Sequence, residues 1–188
     1  MQSSSRFLLV APLIIALAML AFDPRPGFAA SASEIDRDVD AALANLYGQK
    51  PKARELAGIA KGILVFPKII KGGLLVGVQG GEGALLMKGK TAGYYNNVAV
   101  SYGLQAGVQW FGYAMFFRTD KALGYLDKSD GWEIGSGPSI AIVDKGLAKS
   151  LSTTTLKDDI YVFFFDQKGL MAGLGLQGTK ISKFTPDK

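Results

Sequence analysis

The segment VAVSYGLQAGVQW, residues 98–110, contains the clearest structural signal in this sequence. Large apolar residues occupy most of its even positions, and Ala, Ser, Gly and Gln occupy the odd ones. Alternation with a period of two is the pattern of a β-strand whose faces differ, here with the aliphatic residues on one face. Because this run is longer than a typical strand, we predict a bend or bulge within it.

A short triplet of Gly, an aliphatic residue and Gln recurs along the chain. The irregular spacing of its copies is not that of a solenoid, so the triplets indicate several strands that share one design. Glycine inside a strand marks close backbone approach or strong curvature, so we predict a sheet curved toward a barrel. The triplets begin at Gly77, Gly103, Gly107 and Gly175.

The flanking sequence predicts further strands and one short helix. Pro67 is expected to end a buried strand, Gly80 to Gly83 to form a hairpin turn, and Asp166 to Gly169 another. The expected fold class is α+β, with a curved, barrel-like, mostly antiparallel sheet. The expected segments are strands at 63–67 and 132–143, hairpins at 74–90 and 159–181, and a short helix near 120–128.

Two helices are predicted before the first strand. Residues 34–47 carry apolar side chains at three- and four-residue steps, with Ser33 as the expected N-cap. Pro51 can begin a second helix over 52–60. Because the polar face of the first helix is acidic, we expect it to pack on the sheet rather than lie on an anionic membrane.

The first 32 residues are typical of a secretory signal peptide. Arg6 precedes an uncharged apolar run over residues 7–22, and small residues follow. The run is shorter than the ~20 residues of a spanning helix, although an uncleaved anchor is the alternative. Cleavage is expected after Ala29 or Ala32, which leaves one domain, residues 33–188, in the periplasm or secreted. The chain has no cysteine, so it has neither disulfides nor a lipidated cysteine.

Charge is unevenly distributed in the remaining chain. Residues 33–49 are acidic and residues 50–90 are basic, whereas the rest is nearly balanced. A basic segment favours an anionic partner, although evenly spread, solvated lysines are the alternative. The overall excess of basic residues is too small to indicate nucleic acid. The candidate lysines of the basic segment are Lys61, Lys68, Lys71, Lys88 and Lys90.

The sequence offers little for catalysis. It contains no histidine and no cysteine, which excludes the commonest general base, thiolate chemistry and the usual zinc sites. Adjacent acids such as Asp158 and Asp159 lack partner residues, and no calcium-loop pattern is present. We therefore expect a protein that is not an enzyme and that uses no cofactor and no metal.

One stretch, GLMAGLGLQGTK at residues 169–180, has the G-x-G-x-x-G spacing of a dinucleotide-binding loop. That motif needs a helix that begins inside it and a following strand, but the sequence ends ten residues after Gly178. The two-residue alternation of side-chain types that is typical of a strand also continues through residues 169–180. We therefore interpret it as a β-strand and not as a phosphate-binding loop.

Three ordered segments together resemble the SYLF domain. These are AGIAKGILVFPKIIKGGLLVGVQGGEGALL, SYGLQAGVQ and VFFFDQKGLMAGLGLQGTKI, and the resemblance covers residues 53–183. It implies a lipid-binding module, since eukaryotic members bind phosphoinositide membranes and some bind actin filaments. The sequence AGYYNN at 92–97 departs from the eukaryotic pattern, which has a tryptophan-containing turn there. The general property that carries over is recognition of anionic lipid head groups.

The sequence therefore favours an exported, non-enzymatic protein that binds an anionic phospholipid or a membrane surface through the candidate lysines. Two alternatives remain at this point. One is a structural or protein-interaction module of the cell envelope with an unknown protein partner. The other is a small outer-membrane β-barrel, against which the predicted helices argue.

Overall fold

The computed structural model describes residues 30–128, 130–151, 155–169, 176 and 178–187. The described part of the chain contains four helices, one 3₁₀ turn and six strands, and all six strands belong to one sheet. In chain order these are α1 (Ala32–Gln49), α2 (Pro51–Ala57), β1 (Gly62–Met87), β2 (Lys90–Phe117), α3 (Asp120–Leu123), the 3₁₀ turn (Gly124–Asp127), β3 (Trp132–Glu133), β4 (Ile140–Ile142), α4 (Lys145–Ser150), β5 (Ile160–Gly169) and β6 (Lys180–Phe184).

A single long hairpin of β1 and β2 dominates the sheet. The two strands pair from Gly62 with Phe117 to Met87 with Lys90, and their turn is Lys88-Gly89, where both residues have positive φ. The turn predicted at Gly80–Gly83 is therefore wrong, because β1 runs straight through those glycines.

Pro67 does not end a strand, contrary to the prediction. It lies with Lys68 at an irregularity in the β1–β2 register, between the pairs that Phe66 and Ile69 make with β2. A proline cannot donate to the sheet, and a bulge is where this loss is tolerated. The bend expected within 98–110 is confirmed, since the register shifts again between Leu74 and Val76, opposite this run.

Two glycines explain why the hairpin folds back on itself. A Cβ built on Gly83 would collide with the carbonyl oxygen of Val65, and one on Gly81 with the carbonyl oxygen of Lys68. The first quarter of β1 therefore crosses its own later part at backbone contact distance. The glycine-rich run Gly80–Gly83 serves this crossing rather than a turn.

The free edge of β2 is shared by two later strands. Residues 94–98 pair with β6 and residues 109–117 pair with β5, which gives the order β3-β6-β2-β5-β4. All pairs are antiparallel except β4 with β5. The predicted α+β class with a curved, barrel-like, mostly antiparallel sheet is confirmed, as is the short helix near 120–128.

The last predicted hairpin needs correction. β5 continues to Gly169, which pairs with Gln109, so the turn predicted at Asp166–Gly169 is wrong. Asp166 and Gly169 both have positive φ, next to a register irregularity opposite Trp110. Most of the strand interpreted at 170–179 lies outside the described residues.

The sheet buries apolar side chains on both faces. On one face, aromatic residues of β2 and β5 pack against Trp132 and α3. On the other face, α1 and α2 cover the sheet around Phe116 and Phe163, which meet edge to face. This two-sided core supplies the stability that disulfides cannot, because the chain has no cysteine.

Helix α1 packs on the sheet as expected. Its buried residues are the five that the sequence pattern placed on one face: Ile35, Val39, Ala42, Leu43 and Leu46. The N-cap is Ser31 rather than Ser33, because Ser31 forms a reciprocal capping box with Glu34. Helix α2 ends at Ala57, three residues earlier than predicted.

Gly83→Ala tests the crossing. The new methyl group would meet the Val65 carbonyl, so we expect a loss of about 1–3 kcal/mol in unfolding free energy, measured by urea denaturation. Gly80→Ala is the matched control, since its Cβ would lie 3.7 Å from the nearest atom. Equal stability of the two variants would contradict the crossing.

Candidate functional site

Eight large apolar side chains of β1 and β2 are exposed, each by 40–55%. Met87 lies at the hairpin turn, and the other seven form a separate set along the middle of the hairpin. We call this set the valine face. Its members are Ile70, Val76, Val78, Val98, Val100, Val108 and Trp110. A contiguous exposed apolar surface of this kind marks an interaction site more often than scattered single residues do.

The strand register places these residues on one side of the hairpin. Ile70 pairs directly with Trp110, and Val78 pairs directly with Val100. Directly opposed residues share a face of the sheet, and so do alternate residues of one strand. The seven side chains therefore project from the same side.

Helix α1 explains why this side is apolar and why only part of it is exposed. Farther along β2, Ala114 and Phe116 continue the same alternation and are buried in the cluster that α1 completes. Helix α1 covers that end of the hairpin, and Ala84 and Leu86 near the hairpin turn belong to the same cluster, against which Tyr94 packs. The described part of the chain places no element over the middle, where the valine face lies. The valine face is thus the uncovered continuation of a core-facing surface.

The opposite side of the same strands is polar and buried. Gln79, Asn97 and Gln109 are at most 5% exposed. The side-chain amide of Gln79 donates to Asn97 Oδ1 at 3.3 Å, and Asn97 Nδ2 bonds the Tyr113 hydroxyl. The glycine-and-glutamine face predicted from the triplets therefore faces inward here, and the aliphatic face points to solvent.

Two lysines adjoin the valine face through the register of β2. Lys168 of β5 pairs with Trp110, and Lys180 of β6 pairs with Val98. Both lysines are exposed, and cross-strand partners project from the same side. Among the described residues that pair with the valine face, none is acidic. Lys180 also pairs with the exposed Glu133 of β3, so the apolar surface has a cationic edge with one carboxylate beside it. We call Lys168 and Lys180 the lysine rim.

The five lysines singled out by the sequence do not share one crevice. Lys61 and Lys88 line a crevice between α1 and the start of β1, and Lys90 follows the adjacent turn. The Nζ atom of Lys61 also lies 3.8 Å from Asp120 Oδ2.

The other two candidate lysines lie along the middle of the hairpin. Lys68 lines a second crevice, together with Val98 of the valine face, and this crevice also contains Asp38 and Glu82. Lys71 pairs with Gln109, on the side opposite the valine face. A role in binding stays a prediction for all five lysines.

Sequence reasoning missed both lysines of the rim. Their positions depend on which residues of β5 and β6 lie opposite Trp110 and Val98, and the β2–β5 register shifts between Trp110 and Gly112. Trp110 is 40% exposed, whereas Phe111, Tyr113, Phe116 and Phe117 are buried. The signal available in the sequence was Trp110 at the end of the alternating apolar run 98–110.

In the part of the chain that the structure describes, no helix is long and apolar enough to cross a membrane. The same residues contain no group of three or more acidic side chains that could hold a metal ion.

Comparison with known proteins gives one family. Residues 98–185 match the family model described as Ysc84, Las17-binding protein actin regulator, which is the SYLF domain. The matched region includes the β2 part of the valine face and both lysines of the rim. No curated protein matches the chain.

The buried tyrosines predict a loss of stability in alkali. Burial raises the pKa of Tyr95 to about 12, and it raises the pKa of Tyr113 further, although the bond from Asn97 opposes this. Tyrosines of the unfolded chain ionise near pH 10. The folded state therefore holds more protons above that pH, and stability should fall between about pH 10 and 12. Thermal unfolding over this range tests the expectation, and an unchanged melting temperature would contradict it.

Proposed function

Starting from the SYLF domain that this chain carries, we propose that the protein binds membranes containing anionic phospholipid, and that the valine face and lysine rim are the contact surface. The observation that carries this proposal is an exposed apolar surface with a cationic edge. It is a non-enzymatic binding function.

The apolar part supplies the non-electrostatic attraction. Transfer of exposed aliphatic surface out of water is favourable by about 25 cal/mol per Å². Val78 and Val100 project side by side, so they can enter the boundary between head groups and acyl chains together. Trp110 suits the interface, where tryptophan is enriched because its ring is amphipathic.

The lysine rim supplies the attraction to charge. A lysine near an anionic membrane surface contributes about 1 kcal/mol. Lys168 on β5 and Lys180 on β6 lie beside the two ends of the β2 part of the valine face, next to Trp110 and Val98. Both charges can therefore reach head groups while the valines between them contact the acyl boundary.

The same charge pattern favours a lipid surface over a second copy of the chain. Two copies that met through this face would bury apolar area but would also bring the rim lysines of both copies together, with Glu133 as the one acidic residue that pairs with the rim among the described residues. An anionic bilayer offers both an apolar interior and negative charge. Self-association remains an outcome that the binding experiments can detect.

Export is part of the proposal. The apolar run at 7–22 after Arg6 and the small residues before Ala30 support a cleaved leader and a location in the periplasm or outside the cell. The lipid would then be an anionic phospholipid of the cell envelope.

Val78→Asp with Val100→Asp tests the apolar contribution. We expect the apparent affinity for vesicles with anionic lipid to fall at least tenfold in co-sedimentation, because two carboxylates replace inserting side chains. Ile59→Asp with Ile142→Asp is the matched control, since these residues are 45% and 44% exposed but lie outside the valine face. Equal losses in the two proteins, or a folded double variant that binds like the parent, would contradict the proposal. Size-exclusion chromatography separates lipid binding from self-association.

Lys168→Glu with Lys180→Glu tests the rim. Loss of two attractions of about 1 kcal/mol each predicts that the apparent affinity for anionic vesicles falls tenfold or more. Binding of the parent protein to these vesicles should weaken as the salt concentration rises. Lys61→Glu with Lys88→Glu carries the same change in charge and removes the crevice lysines that the sequence singled out. A larger effect in this second pair would move the binding surface to the crevice. Equal binding of the parent to anionic and neutral vesicles at low salt would contradict the proposed function.

A further inference from the structure

The contacts at the start of α1 bear on the two cleavage positions that the sequence alone leaves open. Cleavage after Ala29 or after Ala32 would in each case leave small residues at the last and the third-last positions before the cleaved bond. The two products differ by residues 30–32. The contacts of these three residues distinguish the products.

All three residues are used by the fold. The backbone N–H of Ala30 donates to Glu82 Oε2 at 3.2 Å, and that of Ala32 donates to the carbonyl oxygen of Asp187 at 3.3 Å. Between them, Ser31 accepts from the backbone N–H of Glu34 and donates its own backbone N–H to the Glu34 carboxylate at 2.9 Å. All three are half-buried.

Cleavage after Ala32 would remove these contacts together. Helix α1 would lose its N-cap, and such a loss costs about 1 kcal/mol. The bond after Ala32 also lies within the first turn of α1. The fold therefore uses the chain from Ala30 onward.

We propose that processing occurs after Ala29 and that the new α-ammonium group of Ala30 forms an ion pair with Glu82. This inference rests on the export part of the proposed function. A signal peptidase would hydrolyse the Ala29–Ala30 peptide bond with one water molecule, which leaves a carboxylate on Ala29 and an amine on Ala30. The amine takes up a proton near neutral pH.

Glu82 has a physical reason to occupy its position. An ammonium group one residue before the N-cap faces the positive end of the α1 dipole, which is unfavourable. The Glu82 carboxylate already lies at hydrogen-bonding distance from that nitrogen and would offset the repulsion. The pair ties the start of α1 to β1 across 52 residues of sequence.

The position also connects processing with the valine face. Ala30 and Glu82 line the crevice that contains Val98 and Lys68. The cleavage point therefore lies beside one end of the proposed membrane-binding surface, and an uncleaved leader would join the domain there.

The first experiment is the intact mass of the protein purified from the envelope of a bacterial host that expressed the full chain. We expect the mass of residues 30–188. A chain that begins at Ser33 overturns this inference and leaves export intact. A chain that retains its leader overturns both this inference and the proposed export, whereas vesicle binding by residues 30–188 tests the lipid proposal separately.

The second experiment tests the ion pair itself. Glu82→Gln should lower the melting temperature by about 2–4 °C in a chain that begins with a free amine at Ala30. The drop should be clearly smaller when Phe28 and Ala29 precede Ala30, because an amide then replaces the ammonium group. Glu133→Gln, at an exposed position on β3, is the control and should affect both chains equally. Equal drops for Glu82→Gln in the two chains would overturn the ion pair.

Discussion

Close contact between two parts of one strand determines this architecture. β1 crosses its own later part where Gly81 and Gly83 meet the backbone near Val65 and Lys68. A side chain at either glycine would occupy the space that the crossing strand needs. Because the long hairpin folds back there, β2 offers its free edge to β6 along one stretch and to β5 along another. Most of the aromatic core forms around these junctions.

The same folding back determines which side of the hairpin meets water. Curvature turns the glycine- and glutamine-rich side inward, where Gln79 and Asn97 bond each other and Tyr113. Burial of these three side chains is tolerated because they bond one another. The aliphatic side points outward, and α1 covers it near the two ends of the hairpin but not in the middle. The uncovered middle is the valine face, so the candidate site exists because the hairpin is longer than the surface that α1 covers.

Different parts of the candidate site were accessible from the sequence to different degrees. Alternation over 98–110 identified the set of residues that share the face, since a period of two depends only on local backbone geometry. Alternation does not predict which face is buried, because burial depends on which helix or strand packs on that face in the folded chain. The two rim lysines depend on register between distant strands, and register follows from bulges that no local pattern specifies. Lys61 and Lys88 were grouped by their position in a basic segment, and the fold does bring these two to one crevice.

The sequence by itself determined the local elements whose cause is local. Periodicity predicted the apolar positions of α1, the extended state of 98–110, the short helix near 120 and the α+β class. The family resemblance agreed with the family-model match over 98–185. Only the tertiary structure decided that Gly80–Gly83 is a crossing and not a turn, that Pro67 lies in a bulge, and that the valine face is exposed. Glycine permits a turn and a close backbone contact equally well. What distinguishes the two is whether another strand passes at that point, and this depends on residues far away in the chain.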